Sequence, residues 1–262
     1  SEEEKTKLEA YADGQTMPKR RSKKQRTTKK KEQVQKKAQP KTPLIEEELL
    51  PLEETRNIIF QPNEGPQTEF LAASEREVLY GGSAGGGKSY AMLADPVRYF
   101  NNPHFRGLLI RRTTEELREL ISASKQLYPE AIPNIKFMER DKTWVAPSGA
   151  TLWLSYLDRD DDVTRYQGQA FSWIGFDELT QWASPYPFDY MRSRLRAARG
   201  SGLDLYQRAT TNPGGAGHQW VKKMFIDPAP HGTAFWATNI ETGDILQMPK
   251  GHSREGEPLF KR

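Results

Sequence analysis

The stretch Gly82-Ser83-Ala84-Gly85-Gly86-Gly87-Lys88-Ser89 matches the pattern G-x-x-x-x-G-K-[ST] of a phosphate-binding loop. Glycine permits positive φ and close backbone approach, so successive N–H groups can turn toward phosphate oxygens. A short apolar strand, Glu77–Gly81, precedes the loop, and a helix predicted from Lys88 directs its positive end at the same anion. We expect Lys88 to reach the β- and γ-phosphates of a nucleotide and the Ser89 hydroxyl to hold Mg²⁺.

A second motif, Trp173-Ile174-Gly175-Phe176-Asp177-Glu178, is an apolar strand that ends in two carboxylates. The carboxyl ends of strands in an open α/β sheet face the ligand crevice, so Asp177 is our candidate for the metal. Glu178 is one residue further on, where it can act as the general base toward an attacking water. An Asp-Glu pair suits ATP hydrolysis better than it suits a kinase or a switch GTPase.

The charge of the chain is unevenly distributed. Residues 1–42 hold 14 Lys and Arg against 6 Asp and Glu, residues 43–55 hold five Glu and no Lys or Arg, and residues 56–262 hold 25 basic against 24 acidic residues. Because residues 1–42 contain few apolar side chains, we predict a disordered basic tail. This tail either contacts nucleic acid or another acidic surface, or serves solubility. The body of the protein is close to neutral, so the basic pI does not indicate a globule that coats DNA.

The rest of the composition excludes several other classes of protein. The chain has no cysteine, which excludes disulfides, thiolate zinc sites and a cysteine nucleophile. No apolar run approaches the roughly 18 residues that would span a bilayer, so we expect no membrane partner. We divide the chain into the basic tail (1–42), an acidic linker (43–57), one ATPase domain (58–240) and a linker (241–262) without a closing helix or strand.

Strands alternate with helices along the ordered part, which predicts a mainly parallel sheet covered by helices on both faces. The predicted strands are Glu77–Gly81, Phe105–Arg112, a hairpin of Lys142–Ala146 and Ala150–Leu157, Trp173–Phe176, Leu203–Thr210 and Thr233–Thr238. The predicted helices are Lys88–Phe100 with a break near Pro96, Thr113–Tyr128, Pro187–Ala198 and Gln219–Ile226. Arg111 and Arg112 close a strand at the expected ligand edge, where they either contact ligand or form salt bridges.

Four features in this order carry a family resemblance: Gly65-Pro66-Gln67-Thr68-Glu69-Phe70-Leu71, the loop, the Asp177-Glu178 pair and Ala209-Thr210-Thr211-Asn212-Pro213. Together they resemble the ATPase domain of the large terminase subunit of tailed double-stranded-DNA phages. The resemblance covers about Phe60 to Thr238. It implies a P-loop NTPase of the additional-strand (ASCE) class that uses ATP and Mg²⁺.

The resemblance also implies roles for individual residues. Gln67 would read adenine, and Thr211 and Asn212 would form the coupling motif that senses the γ-phosphate. The family often carries an arginine just before the glycine that matches Gly168, but Gln167 stands there in this chain. Arg165, two residues earlier, is therefore our candidate for an arginine finger that reaches a neighbouring subunit's site.

The partners that the resemblance implies are double-stranded DNA, a portal protein, a small terminase subunit and other copies of this chain in a ring, a pentamer by family resemblance. The chain would act in the cytoplasm of the infected bacterium and transiently on the prohead portal, not in the mature virion. Large terminases usually continue into a nuclease domain, and we expect no nuclease activity in this chain. We predict that Asp158-Arg159-Asp160-Asp161-Asp162 is a solvated loop and not a metal site.

Two alternatives remain open from the sequence. A helicase or recombinase-like DNA-dependent ATPase shares the loop and the Asp-Glu pair, and it would separate strands rather than package duplex DNA. An assembly subunit would bind ATP without turning it over.

Overall fold

The computed structural model describes residues 58–235 with their side chains, and the backbone of 237–238, 245–246 and 260–261. The predicted basic tail (1–42) and acidic linker (43–57) lie outside the described residues, as does most of the predicted linker 241–262. The strands are β1 (Glu77–Gly81), β2 (Arg106–Arg111), β3 (Lys136–Met138), β4 (Thr143–Val145), β5 (Thr151–Tyr156), β6 (Trp173–Phe176), β7 (Tyr206–Thr211), β8 (Ala234–Phe235), β9 (Ala237–Thr238), β10 (Ile245–Leu246) and β11 (Phe260–Lys261).

The helices are short except for one. The α-helices are α1 (Pro66–Ala72), α2 (Lys88–Ala94), α3 (Thr114–Ala131), α4 (Tyr186–Arg192) and α5 (His218–Val221). Three 3₁₀ helices (Asp95–Tyr99, Asp160–Tyr166 and Leu179–Gln181) and a π-helix (Lys222–Ile226) complete the helical elements of the described residues. No helix in this part of the chain is both long and apolar enough to cross a membrane.

Nine strands of the described residues form one sheet in the order β3-β4-β5-β2-β6-β7-β1-β11-β8. The strands from β5 to β11 in that order are parallel to their neighbours, and the pairs β3–β4, β4–β5 and β11–β8 are antiparallel. β7 lies between β1, which leads into the loop, and β6, which carries the acidic pair. This inserted strand confirms the predicted α/β fold of the additional-strand class.

Alternating side chains of the central strands divide the core between the two faces of the sheet. Leu109 of β2 packs with α2 and α3, whereas Leu108 and Ile110 pack with α4 and α5. The α3 helix begins with the predicted capping box, in which Glu116 N donates to Thr113 Oγ1 at 3.3 Å and Thr113 N donates to Glu116 Oε2 at 3.2 Å. Because the central strands are parallel, their carboxyl ends lie together at one edge of the sheet.

Several predicted elements differ from the structure because of tertiary contacts. The predicted helix Pro187–Ala198 ends at Arg192, since Leu195 forms a β-bridge with Phe171 instead of another helical turn. The predicted break near Pro96 in the helix Lys88–Phe100 is confirmed, because the α-helix ends at Ala94 and a 3₁₀ helix follows from Asp95. The expectation of no strand after Thr238 is wrong, because Phe260–Lys261 pairs in parallel with β1. The helix α1 and the edge strand β3 were not predicted.

A buried carboxylate, Asp95, joins the end of α2 to the middle of the sheet. It accepts a hydrogen bond from Trp173 Nε1 at 2.7 Å, and its Oδ2 lies 3.8 Å from Arg208 Nε. Both Asp95 and Arg208 are almost completely buried. Arg98 Nη2 approaches the other oxygen at 2.7 Å from a side chain that is 43% exposed.

We predict that Asp95→Ala lowers the free energy of unfolding by about 3–5 kcal/mol, because Arg208 keeps a buried charge without a carboxylate partner. Arg98→Ala removes the exposed partner of the same carboxylate, and its ion pair contributes less than about 1 kcal/mol. Urea denaturation followed by circular dichroism measures both. Equal losses in the two variants would contradict the assigned role of the buried pair.

Candidate nucleotide-binding site

The glycine loop runs from the end of β1 into α2 as predicted. Gly85 and Gly87 have φ of 84° and 69°, the left-handed region that glycine adopts without strain. Tyr80 Oη donates to Gly86 O at 2.8 Å, and Gly82 N donates to Thr211 O at 3.2 Å, so strands β1 and β7 fix both halves of the loop. The ends of β1 and β7 thus hold the loop in a curved conformation.

Lys88 is buried at the start of α2, and its ammonium group points back into the loop. Its Nζ donates to Ser83 O at 2.7 Å and to Gly82 O at 3.3 Å. The loop therefore carries a positive charge within its own curve, next to the N-terminal end of a helix. Such a combination of cation, helix end and glycine backbone is typical of phosphate sites.

Gln67 is held beside the glycine loop by two hydrogen bonds. Its side chain is buried, Nε2 donates to Gly87 O at 2.9 Å, and Oε1 accepts from Asn63 N at 2.7 Å. Gly87 has φ of 69°, and an added Cβ would lie 2.7 Å from Gln67 Nε2, so both the backbone conformation and the space favour glycine. Gln67 braces the phosphate loop from behind, and its reading of adenine stays a prediction.

Asp177 lies at the carboxyl end of β6 and is fully buried. Its Oδ2 lies 2.9 Å from Nε of Arg111 at the end of β2. Its Oδ1 accepts a short hydrogen bond from Thr210 Oγ1 of β7 and another from Ser89 Oγ at 3.3 Å. The two predicted metal ligands, Ser89 and Asp177, are therefore adjacent.

The donor set at Ser89 and Asp177 fits Mg²⁺, which is usually bound by hydroxyl and carboxylate oxygens together with phosphates and water. No cluster of three or more His, Cys, Asp or Glu side chains suited to a metal occurs in the described part of the chain. Magnesium does not require such a cluster, because it commonly takes one or two protein ligands and completes its shell otherwise. The residues present are therefore compatible with the predicted metal.

Glu178 follows Asp177 in the left-handed region, with φ of 63°, which is uncommon for a residue other than glycine. Burial, together with the negative charge of Asp177, raises the pKa of Glu178 above its usual value. Its Oε1 accepts from Asn212 Nδ2 at 2.8 Å and its Oε2 from Asn212 N at 3.1 Å. The predicted base and the predicted coupling residue are thus in direct contact.

Two threonines that the sequence analysis left without a role connect these groups. Thr210 Oγ1 accepts from Glu178 N at 3.0 Å while it donates to Asp177. Thr180 Oγ1 donates to Asn212 O at 3.1 Å and accepts from Thr211 Oγ1 at 2.9 Å. The position of Thr210 near the end of the predicted strand could have indicated its role, because the register of β6 and β7 places it beside Asp177.

Arg111 and Arg112, for which the sequence left ligand contact and salt bridges open, both form ion pairs within the chain. Arg111 pairs with Asp177, and Arg112 Nη1 lies 3.3 Å from Asp160 Oδ1. The predicted solvated loop at Asp158–Asp162 is wrong in part, because Asp160 also accepts from Ser184 N and Oγ, and a 3₁₀ helix begins there. These contacts anchor the segment against the sheet edge.

Arg165 does not join the residues around the loop. Its Nη2 lies 3.3 Å from Asp162 Oδ2, and its guanidinium lies 5.6 Å from the ring centre of Tyr156. It faces an open groove that it shares with Arg140 and Lys142, beside the end of β5. Because β2, β6 and β7 separate β5 from β1, this groove is roughly 19 Å from the loop strand at about 4.8 Å a strand.

A cavity of about 270 Å³ opens beside the loop. It is lined, among others, by Phe70 of α1, Tyr80 of β1, Asn212, His218 and His231. Gln67 does not line it. The sequence analysis missed this cavity, because its walls come from segments that are up to 165 residues apart in the chain.

The sequence and the fold were compared with those of known proteins. The family model described as terminase large subunit, T4likevirus-type, N-terminal, matches residues 79–251, which is more than half of the chain. No curated protein sequence matches the chain significantly.

Among solved structures, the fold is similar to the large terminase ATPase domain of Thermus phage P74-26, at 15% identity and a TM-score of 0.49, over 77% of this chain and 80% of that one. It is also similar to the HK97 bacteriophage large terminase, at 11% identity and a TM-score of 0.47, over 62% of this chain. The match covers 36% of the HK97 protein, so this chain spans about a third of its length. The bacteriophage phi-29 packaging motor assembly gives 16% identity and a TM-score of 0.45, over 72% and 58% of the two chains.

The family model spans the end of β1, the whole glycine loop, the acidic pair and the segment that contacts it. Because the model matches more than half of the chain, the chain belongs to the family of T4-like terminase large subunits and corresponds to their N-terminal region.

Proposed function

We propose that this chain is the ATP-hydrolysing motor domain of a phage large terminase, and that it moves double-stranded DNA into a prohead. The observation that carries the proposal is the meeting of Lys88, Ser89, Asp177, Glu178 and Asn212 at one edge of the sheet. These residues come from the ends of β6 and β7 and from the start of α2. Family membership supports the same function.

Each residue has a defined task in this proposal. The backbone of Gly82–Ser89 and the Lys88 ammonium hold the β- and γ-phosphates, and the apolar side of the adjacent cavity receives the base. Ser89 and Asp177 hold Mg²⁺, which supplies positive charge beside the phosphate oxygens. Arg111 keeps Oδ2 of Asp177 engaged, so that Oδ1 faces Ser89.

Glu178 is the general base of the reaction. It takes a proton from the attacking water, whose oxygen forms the new bond to the γ-phosphorus. The bond from that phosphorus to the β,γ-bridging oxygen breaks, and its electron pair leaves with ADP. The raised pKa of Glu178 favours proton uptake, and the hydrogen bonds from Asn212 orient its carboxylate.

Thr211 and Asn212 couple this chemistry to movement. Asn212 contacts Glu178 through both its backbone and its side chain, and Thr211 contacts Thr180 just beyond the acidic pair. A change in the position of Glu178 is therefore transmitted directly to the segment after β7. We further propose that the chain works as a ring, a pentamer by family resemblance, with a portal protein and a small terminase subunit, in the host cytoplasm and not in the mature virion.

We predict that Lys88→Ala and Glu178→Gln each reduce ATP turnover at least about 100-fold, because they remove phosphate contact and the general base, respectively. Phosphate release in the presence of Mg²⁺ and duplex DNA measures turnover. Lys125→Ala and Glu130→Gln are matched controls, since both residues lie in the second half of α3, beyond the first turn that is nearer the site. Unchanged turnover in both test variants would leave ATP binding for assembly as the better account.

We predict that ATP turnover per chain rises with protein concentration, because Arg165 acts on the nucleotide of a neighbouring copy. Arg165→Ala should abolish the rise and lower turnover at high concentration by about 10³-fold, the lower part of the range for arginine fingers. Arg140→Ala alters the same groove and serves as the control. A constant turnover per chain across concentrations would contradict the assignment of Arg165.

A further inference from the structure

A strongly basic segment lies at the amino ends of the parallel strands, on the opposite side of the sheet from the carboxyl ends that carry the candidate nucleotide site. Arg194, Arg196 and Arg199 follow α4 within eight residues. Phe171 N donates to Arg194 O, and Arg196 N donates to Phe171 O, both at 2.9 Å. Because Phe171 precedes β6, these contacts place the segment at the amino ends of the parallel strands, whereas the glycine loop follows the carboxyl end of β1.

The three arginines lack acidic partners in the described part of the chain, where no carboxylate oxygen lies within 4.0 Å of their guanidinium nitrogens. Arg194 Nε donates to Ser193 Oγ at 3.0 Å and Arg196 Nε to Ser193 O at 3.2 Å, and Arg196 and Arg199 are exposed. Arg192 differs from them, since its side chain is 15% exposed and forms ion pairs with Glu77 and Asp189. The preceding helix thus uses its arginine for structure, and the segment leaves three charges for another molecule.

Two glycines follow directly and leave the backbone accessible. Gly200 and Gly202 have φ of 78° and 69°, and an added Cβ would meet no atom within 4 Å at either position. Asn102 Nδ2 donates to Ser201 O at 2.8 Å and fixes the turn between them. A fixed turn with left-handed glycines and open space can present N–H groups to an anion.

We propose that residues 194–202, the arginine segment, bind the phosphodiester backbone of duplex DNA. Planar guanidinium groups match phosphate oxygens in a bidentate manner, and backbone N–H groups add contacts that do not depend on sequence. Stacking on bases is not part of the assignment, because Tyr190 lies beneath the Arg194 guanidinium, 5.2 Å from it. The choice of duplex DNA over other polyanions rests on the proposed packaging function.

The location has a consequence for the motor. Since the arginine segment and the glycine loop lie at opposite edges of one sheet, DNA and nucleotide do not compete for the same residues. The segment is joined to β6 through Phe171, and β6 carries Asp177 at its other end. A single strand of four residues therefore separates the DNA contact from the metal-binding carboxylate.

The test compares two variants of the chain. R196E/R199E reverses two charges of the arginine segment, and R118E is the control, whose arginine is exposed on α3. Fluorescence anisotropy with a random-sequence labelled duplex gives the dissociation constant over a series of salt concentrations. We expect R196E/R199E to bind at least about tenfold more weakly near 0.1 M salt, with a log–log salt slope smaller by about 2, roughly 1 for each phosphate contact. The basic tail is present in every variant and contributes equally.

Two further measurements make the result specific. R196K/R199K keeps the charge and should retain most of the salt slope. ATP turnover without DNA should stay within about twofold of the unaltered chain in each of the arginine variants. Lys88→Ala should lose turnover and keep DNA binding, so failure of the ATPase proposal and failure of this one give different results. Urea denaturation checks folding, with R196A/R199A as the substitute if charge reversal unfolds the chain.

Three outcomes would overturn the proposal. The first is equal duplex binding by R196E/R199E and R118E, and the second is no duplex binding by the unaltered chain at about 0.05 M salt. The third is an equal loss of binding to polyglutamate and to DNA, which would identify a surface for anions in general, such as an acidic protein.

Discussion

Asp177 is fully buried at the carboxyl end of β6, and three neighbouring elements supply the partners that its charge requires. Arg111 comes from the end of β2, Thr210 from β7 and Ser89 from the first turn of α2. Removing any of them would leave part of a buried carboxylate uncompensated, which is costly in a protein interior. The ends of the central strands and the phosphate loop are therefore fixed relative to one another by a single side chain.

This arrangement also determines how Glu178 is placed. The left-handed turn after Asp177 directs Glu178 toward the end of β7, where Asn212 and the Thr210 hydroxyl receive it. The inserted strand β7 is thus more than a spacer between β1 and β6, since it carries the contacts of both carboxylates. A P-loop protein without an inserted strand would have no such segment between its loop strand and its acidic pair.

The two edges of the sheet differ in chemistry. The carboxyl edge gathers carboxylates, threonines and a buried lysine that hold one another in place, while the amino edge exposes arginines that have no acidic partner among the described residues. Parallel strands make this division possible, because all of their amino ends lie together. The strand β6 joins the two edges directly, and this connection gives a short physical path between the proposed DNA contact and the proposed hydrolytic residues.

The fold class and the residues of the loop were predictable because they depend on local pattern. A glycine run before a lysine, an apolar strand ending in Asp-Glu and the alternation of strands and helices act over a few residues each. The end of α4 was not predictable, since Leu195 leaves the helix for a bridge with Phe171, 24 residues earlier. The return of Phe260–Lys261 to β1 was missed for the same reason, as a two-residue strand is stabilised by its neighbours and not by its own sequence.

The sequence by itself determined the candidate side chains for phosphate, metal and water: Lys88, Ser89, Asp177 and Glu178. Only the tertiary structure decided their partners, because Arg111, Thr210 and Asn212 reach the acidic pair through strand order and register, which no local pattern encodes. It likewise decided that Gln67 packs behind the loop and that Arg165 lies beside β5. Contacts between distant segments carry the free energy that selects these positions, and burial makes each unmatched polar group costly enough to fix them.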